Sequence, residues 1–145
     1  MSVLGLGLDV VDVERFAEQL ADPASGFVDG TFTAGEQADA SFGSGDRTLR
    51  LAGRFAAKEA FIKAWSAARF GRPPALPSVD LRSIELRSDG HGRPAIALHG
   101  EVAEEISSLA IQLELRGEIV THVSLSHDGG VAAAVVVLSA RPVAF

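Results

Sequence analysis

The spacing of apolar residues predicts a strand at the start of the chain. Apolar side chains alternate with glycine over residues 3–8, a period of two that is typical of a half-buried strand. The two faces of this strand differ, one carrying Leu4, Leu6, Leu8 and Val10 and the other Gly5, Gly7 and Asp9. We therefore expect one apolar face and an opposite face of glycines that ends at an acid.

The first half of the chain predicts two helices and one further helix start. Residues 47–70 give the clearest one, because they are rich in Ala, Leu, Arg and Lys and contain no proline. The apolar face predicted for this helix consists of Ala57, Ala60, Phe61 and Ala64. Residues 12–21 predict a shorter helix with Asp12 as its N-cap. Thr33 and Glu36 have the spacing of a capping box.

The second half of the chain predicts two hairpins separated by a helix. Residues 84–87 and 95–98 have the composition of strands and flank a turn that contains glycine and proline. Residues 119–126 and 131–138 form a similar pair across an Asp-Gly-Gly turn. A short amphipathic helix, 101–109, lies between the two pairs.

The order of these elements, β-α-α-ββ-α-ββ, predicts an α+β fold with a mostly antiparallel sheet packed against a long central helix. The length suits a single domain over residues 1–145. No stretch approaches the roughly 20 apolar residues of a membrane span, and the N-terminus lacks a signal-peptide pattern, so we expect no membrane association. The absence of cysteine excludes disulfides and thiol catalysis, and it is compatible with the cytoplasmic location that we expect.

Charge is distributed unevenly along the chain. The net charge of −6 argues against a nucleic-acid partner. However, residues 47–72 hold seven basic residues and one acid, so this window carries +6 and the rest of the chain −12. Such a basic segment predicts either a local anion site or a solvated arginine-rich helix face.

The candidate chemistry centres on two acids and their basic neighbours. Asp9 at the strand and Glu59 on the long helix could together hold Mg²⁺, with Lys58, Lys63 and Arg54 binding phosphate oxygens. That combination suits phosphoryl-type transfer. Equally, Asp9 could cap the following helix, and Glu59 with Lys63 could be a surface pair at i,i+4 spacing.

Two histidines and two aromatic residues also have more than one possible role. His127 lies between a strand and a turn, where it could bind phosphate, act as an acid or base, or only hydrogen-bond the hairpin. His122 lies within a strand, which favours a structural role. Phe61 and Trp65 at helical spacing predict core packing rather than a stacking platform.

Three blocks of sequence resemble the holo-[acyl-carrier-protein] synthases, the small phosphopantetheinyl transferases. Residues 5–15 resemble the family's G-x-G-x-D block with its trailing arginine, and residues 54–64 resemble its F-A-x-K-E-A-x-x-K-A signature. Residues 122–127, followed by 132–136, are similar to its C-terminal strand pair. The order and spacing of the blocks match over nearly the whole chain, with Arg93 where the family usually has lysine.

The resemblance implies the 4′-phosphopantetheinyl transferase fold and a reaction of fatty acid biosynthesis. Coenzyme A would donate its 4′-phosphopantetheine arm to a serine of apo acyl carrier protein, releasing adenosine 3′,5′-bisphosphate. The implied catalytic residues are Asp9, Glu59 and Lys63, of which Asp9 and Glu59 would hold Mg²⁺ and Glu59 is the leading candidate for the base. The implied coenzyme A contacts are Lys63, Arg54, Lys58 and His127, and Arg15 would face the carrier protein.

The family's size class further implies a homotrimer with sites between subunits. The alternative is a non-catalytic module of the same fold that binds a nucleotide or an acidic partner. The presence of both acids, Asp9 and Glu59, favours the enzyme, since a binding module would have no need of the pair.

Overall fold

The computed structural model describes residues 2–144. Its elements, in chain order, are β1 (Ser2–Asp12), α1 (Val13–Ala21), α2 (Phe27–Thr31), α3 (Ala34–Ser41), α4 (Arg47–Ala68), a 3₁₀ turn (Leu81–Ser83), β2 (Ile84–Ser88), β3 (Pro94–Leu98), α5 (Gly100–Gln112), β4 (Gly117–Asp128) and β5 (Val131–Pro142). Every predicted helix and strand is present, and the α+β class is confirmed. The short helix α2 was not predicted from the sequence.

Two helix starts follow the predicted capping chemistry. Asp12 caps α1, with its carboxylate accepting a hydrogen bond from the Arg15 amide at 3.0 Å. Thr33 caps α3 in a complete capping box, in which the Glu36 side chain also accepts a hydrogen bond from the Thr33 amide. Because these side chains satisfy backbone donors that the helix leaves free, they fix where each helix begins.

A three-stranded antiparallel sheet in the order β1-β5-β4 forms the frame of the molecule, and β2 and β3 form a separate hairpin. Helix α4 packs across one face of the larger sheet, chiefly against β1 and β5. The predicted apolar face of α4 is fully buried there, which makes this helix the centre of the core.

Two glycines of β1 allow α4 to approach the sheet at backbone distance. A Cβ atom at Gly7 would lie 1.8 Å from the carbonyl oxygen of Ala60, and one at Gly5 would lie 2.0 Å from that of Ala64. No side chain fits at such distances, so glycine is required at both positions. This contact sets the distance and register between β1 and α4.

The large apolar side chains of β1 point away from α4. Leu6, Leu8 and Val10 are 59%, 58% and 59% exposed, whereas the glycines between them are buried. The prediction of a shared face is confirmed for Leu6, Leu8 and Val10, and that face is the outer one. Leu4, which was predicted on the same face, is partly buried against the core, where the register of β1 shifts between Val3 and Gly5. No helix in the described part of the chain is long and apolar enough to cross a bilayer.

Candidate active site

The sheet face that packs against α4 also presents Asp9 to that helix. Asp9 follows Gly5 and Gly7 at the two-residue period of β1, so its carboxylate lies on the same face. Lys63 of α4 donates hydrogen bonds to Asp9 Oδ1 at 3.0 Å and to the Leu8 carbonyl oxygen at 2.9 Å. Residues 54 positions apart in sequence therefore meet where β1 packs on α4.

Glu59 lies one helical turn before Lys63 and joins this group. Burial raises the pKa of the half-buried Glu59 carboxyl, and the negative charge of Asp9 raises it further, while Lys63 opposes both effects. Because Lys63 contacts Asp9 and Glu59 precedes Lys63 by one helical turn, Glu59 lies on the part of α4 that packs near Asp9. The structure thus brings together Asp9, Glu59 and Lys63 as the sequence predicted.

The contacts do not match the two alternative roles, which were a helix cap for Asp9 and a surface pair of Glu59 with Lys63. Helix α1 is capped by Asp12 rather than by Asp9. Lys63 forms its ion pair with Asp9 on another element, rather than with Glu59 along the helix. Asp9 is therefore not a helix cap, and Glu59 does not form the surface i,i+4 pair with Lys63.

Two facing carboxylates are suited to a hard divalent cation. Mg²⁺ in phosphate-handling proteins is usually held by one or two carboxylates and keeps positions for water or phosphate oxygens. Within residues 2–144, no group of three or more His, Asp or Glu side chains could hold a metal ion. The residues present therefore fit a cation that shares its coordination with a substrate, rather than an all-protein metal cage.

A groove of about 620 Å³ lies between the first half of α4, the β2–β3 hairpin and the end of β4, and Asp9, Glu59 and Lys63 are not among the residues that line it. Arg54 and His127 both line it. His127 pairs with Ala132, which in turn pairs with Val11. Because Val11 follows Asp9 by two residues on β1, His127 lies on the same sheet face as Asp9, two residues further along the sheet. Two strand spacings put about 10 Å across the sheet between the backbones of β1 and β4.

Arg54 is largely buried in the wall of the groove. Its Nη1 donates to the Arg50 carbonyl oxygen, whereas its buried Nε has no protein partner. Burial lowers the pKa of the guanidinium, although the nearby acids Asp39 and Glu36 oppose that effect. Since arginine keeps its charge even when buried, Arg54 supplies a fixed cation to the groove.

The structure corrects the expectation that Lys58 contacts a phosphate. Lys58 is completely buried, and its ammonium donates to Glu36 Oε1 at 2.7 Å, to the Leu81 carbonyl oxygen at 2.8 Å and to that of Ile84 at 2.6 Å. All three N–H donors are therefore occupied by the protein itself. Burial lowers the pKa of Lys58, and the ion pair with Glu36 counteracts it.

The remaining candidates have simpler placements. Arg15 is exposed on the first turn of α1, where it is available to a partner. His122 Nε2 lies 2.9 Å from Ser139 Oγ of the adjacent strand, consistent with the predicted structural role. Phe61 and Trp65 pack together in the core with ring centroids 6.1 Å apart, as predicted.

Sequence reasoning missed the partner of Lys58. Glu36 was noted only as the end of a capping box, and nothing in the local pattern indicates that its carboxylate also neutralises a buried ammonium. The groove residue Asp39 was also not singled out.

Comparison with known proteins agrees with this geometry. Residues 5–135 match the family model described as "4'-phosphopantetheinyl transferase superfamily". The chain is 44% identical over 138 residues to the holo-[acyl-carrier-protein] synthase of Mycobacterium marinum, covering 95% of this chain and 98% of that protein. It is likewise 44% identical over 140 residues to the corresponding synthase of Mycobacterium tuberculosis, covering 97% and 99%.

Solved structures give the same result. The Chronobacterium ammoniagenes ACPS-CoA complex superposes with a TM-score of 0.82 at 41% identity, covering 97% of this chain and 99% of that one. The acyl carrier protein synthase of Mycobacterium tuberculosis superposes with a TM-score of 0.74 at 39% identity, covering 97% and 100%. Together with the match over residues 5–135, these likenesses show that the chain belongs to the 4′-phosphopantetheinyl transferase superfamily.

Proposed function

We propose that this protein transfers the 4′-phosphopantetheine arm of coenzyme A to a serine of apo acyl carrier protein, in fatty acid biosynthesis. The observation that carries the proposal is the meeting of Asp9, Glu59 and Lys63 where β1 packs on α4. The near-full-length likeness to holo-[acyl-carrier-protein] synthases supports it, as does the likeness to a synthase structure described as a coenzyme A complex.

The two acids are the proposed ligands of Mg²⁺. Asp9 lies on β1, and Glu59 lies on the helix that packs against β1, one turn before the Lys63 that contacts Asp9. A Mg²⁺ ion held by two carboxylates keeps positions for substrate oxygens. When bound there, the cation would supply positive charge to the pyrophosphate of coenzyme A.

Lys63, Arg54 and His127 are the proposed binding residues for the phosphates of coenzyme A. The Lys63 side chain is 53% exposed, so its ammonium can reach solvent and a ligand while remaining beside Asp9. Arg54 and His127 line the groove beside the first half of α4, and its volume of about 620 Å³ has room for part of a nucleotide. Lys58 is left out of this set because its donors are already used.

In the proposed reaction, the serine oxygen attacks the β-phosphorus of coenzyme A. The bond from that phosphorus to the bridging oxygen breaks, and adenosine 3′,5′-bisphosphate leaves with the electron pair. The serine proton must pass to a base, and Glu59 is the leading candidate because its raised pKa makes its carboxylate more basic than an ordinary one. The transfer to Glu59 would be direct or through one water molecule.

We further propose that three copies of the chain assemble through the outer face of the sheet. Leu6, Leu8 and Val10 pair with Val137, Val135 and Ala133 of β5, so their side chains form one continuous apolar surface outside the core. Soluble proteins rarely leave such a surface uncovered. A second copy is the occupant that requires no other molecule.

The acidic carrier protein is the proposed macromolecular partner. Arg15 stands exposed on α1, directly after the strand that carries Asp9, so a carrier bound there would have its serine near the acids. The reaction and the cysteine-free composition fit a cytoplasmic protein, which we propose as its location.

A mass-spectrometric transfer assay tests the proposal. The protein is mixed with coenzyme A, Mg²⁺ and apo acyl carrier protein, and the carrier is weighed before and after. We expect the carrier to gain one phosphopantetheine, and the gain to require Mg²⁺. Several carriers left unchanged, while the protein still binds coenzyme A, would favour the alternative of a non-catalytic module of the same fold.

A further inference from the structure

The buried pair of Lys58 and Glu36 connects four elements of the fold at one point. Lys58 comes from α4 and Glu36 from α3, and the carbonyl oxygens that Lys58 also reaches belong to the 3₁₀ turn and to β2. The ammonium lies 5.6 Å from the centre of the Phe32 ring as well. The side chain is thus held on every side by groups of this chain.

Glu36 is satisfied as completely as its partner. Its Oε1 accepts from Lys58 and from the Thr33 amide at 3.0 Å, and its Oε2 accepts from the Leu86 amide at 3.1 Å. A buried pair whose remaining lone pairs and protons are all hydrogen-bonded has a defined geometry, because any displacement breaks several charge-assisted contacts together. The pair therefore fixes α4 relative to α3 and β2.

On its other side, α4 is fixed by the glycines of β1. The close contacts of Gly5 and Gly7 with the α4 backbone set the distance and the register of the helix, but glycines have no side chains to resist its rotation. Lys58 adds a directional anchor to the packing of the buried face of α4, and it lies about 100° around the helix from its neighbour Glu59. A carboxylate about 6 Å from the helix axis moves about 1 Å for a 10° rotation.

We propose that Glu36 and Lys58 are positioning residues that set the rotation of α4 and so hold Glu59 opposite Asp9. The inference rests on the proposed role of Asp9 and Glu59 in holding Mg²⁺. A displacement of 1 Å is about twice the tolerance of roughly 0.5 Å within which a functional constellation is held. Loss of the pair therefore weakens binding of Mg²⁺, and raises the Mg²⁺ concentration needed for transfer, before it weakens binding of the carrier at Arg15 on α1.

The test uses two variants of the full chain and a matched control. Glu36→Gln keeps an acceptor for the Thr33 amide, and the double variant Glu36→Gln with Lys58→Met removes both charges without leaving either one buried alone. The control is Leu109→Ala, a buried position on α5, which packs mainly on β4 and the 3₁₀ turn. All are assayed well below their melting temperatures, at saturating coenzyme A.

We expect both pair variants to bind Mg²⁺ at least fivefold more weakly in calorimetric titration without substrates. They should also need at least fivefold more Mg²⁺ for half-maximal transfer, with the KM for the carrier within twofold of wild type. The control, with a comparable loss of stability, keeps the wild-type Mg²⁺ requirement. Should the double variant not fold, Glu36→Gln alone decides. An unchanged Mg²⁺ requirement in the folded pair variants, or an equal shift in the control, overturns the positioning role.

Failure of the proposed function is recognised separately. Wild-type protein that transfers nothing, or transfers equally well without Mg²⁺, overturns the function and this inference with it. If the wild type and the pair variants both transfer and have the same Mg²⁺ requirement, only the inference is overturned.

Discussion

The Lys63 ammonium donates to the Asp9 carboxylate at 3.0 Å, and this contact joins the middle of α4 to β1. The two residues meet only because Gly5 and Gly7 let the helix backbone touch the strand. Glu59 lies one helical turn from Lys63, and burial together with the charge of Asp9 raises its pKa. Four consequences of this arrangement can be measured.

Replacing Glu59 with glutamine removes the proposed base and metal ligand while keeping the shape of the side chain. We expect the transfer rate to fall by about a hundredfold to ten-thousandfold, the usual range for loss of a positioned acid or base. Mass spectrometry of the carrier measures the rate. Glu104→Gln, an exposed position on α5, serves as the control and should transfer normally. Retained activity in Glu59→Gln would remove Glu59 from the site.

The same substitution changes how stability depends on pH. Because the pKa of Glu59 is raised from 4.5, the folded state binds the proton more tightly than the unfolded state. The contribution of Glu59 to stability is therefore fully present below about pH 4.5 and is lost as pH rises through the folded pKa. In the absence of metal, we expect Glu59→Gln to melt at the same or a higher temperature than wild type at pH 7. A clear loss of stability at pH 7 would contradict the unfavourable burial of this charge.

Replacing Lys63 with alanine separates ligand binding from stability. The ion pair with Asp9 is half exposed, so its loss should cost less than about 1 kcal/mol of unfolding free energy. We expect the affinity for coenzyme A to fall about tenfold, since hydrogen bonds to charged groups contribute roughly 1.5–3 kcal/mol. Calorimetric titration with coenzyme A and with the carrier measures both affinities.

Arg87→Ala provides the control for charge removal, because Arg87 is an exposed cation of β2 that pairs with Glu85. It should bind coenzyme A as the wild type does. If Lys63→Ala lost as much affinity for the carrier as for coenzyme A, the phosphate role of Lys63 would be wrong.

Replacing Gly7 with alanine should break the contact on which the site depends. The new Cβ would lie 1.8 Å from the Ala60 carbonyl oxygen, so strand and helix must separate. We expect a loss of at least about 3 kcal/mol in urea unfolding, near the upper end for core overpacking. Gly30→Ala is the matched control, with no atom within 4 Å of its Cβ. Equal stability of the two variants would show that β1 and α4 can relax apart freely.

Placing a charge on the outer sheet face should prevent assembly. Leu8 is 58% exposed in a single chain, and a glutamate there would bury its charge in the proposed interface. We expect sedimentation to find a trimer for wild type and a monomer for Leu8→Glu, with loss of transfer. Ile111→Glu, an exposed apolar position on α5, is the control and should remain assembled. A wild-type monomer that transfers phosphopantetheine would refute the assembly proposal.

Much of the fold could be predicted because its signals are local. Side-chain capping at Asp12 and Thr33, the absence of proline from α4 and the glycine-containing turns each act within a few residues. The blocks around Asp9 and Glu59 also identified the family, which the comparisons confirm. These features are written into short stretches of the chain, where periodicity and backbone chemistry decide the outcome.

The sequence by itself therefore determined the elements, their caps, the α+β class and the pair of acids to examine. Only the tertiary structure decided which face of β1 is buried, because a helix that needs backbone contact selects the glycines over the leucines. The tertiary structure also decided that Lys58 is buried and paired with Glu36. Periodicity places Lys58 in a basic stripe with the arginines of α4, but α3 and β2 fold over that position and supply the acceptors that bury its charge.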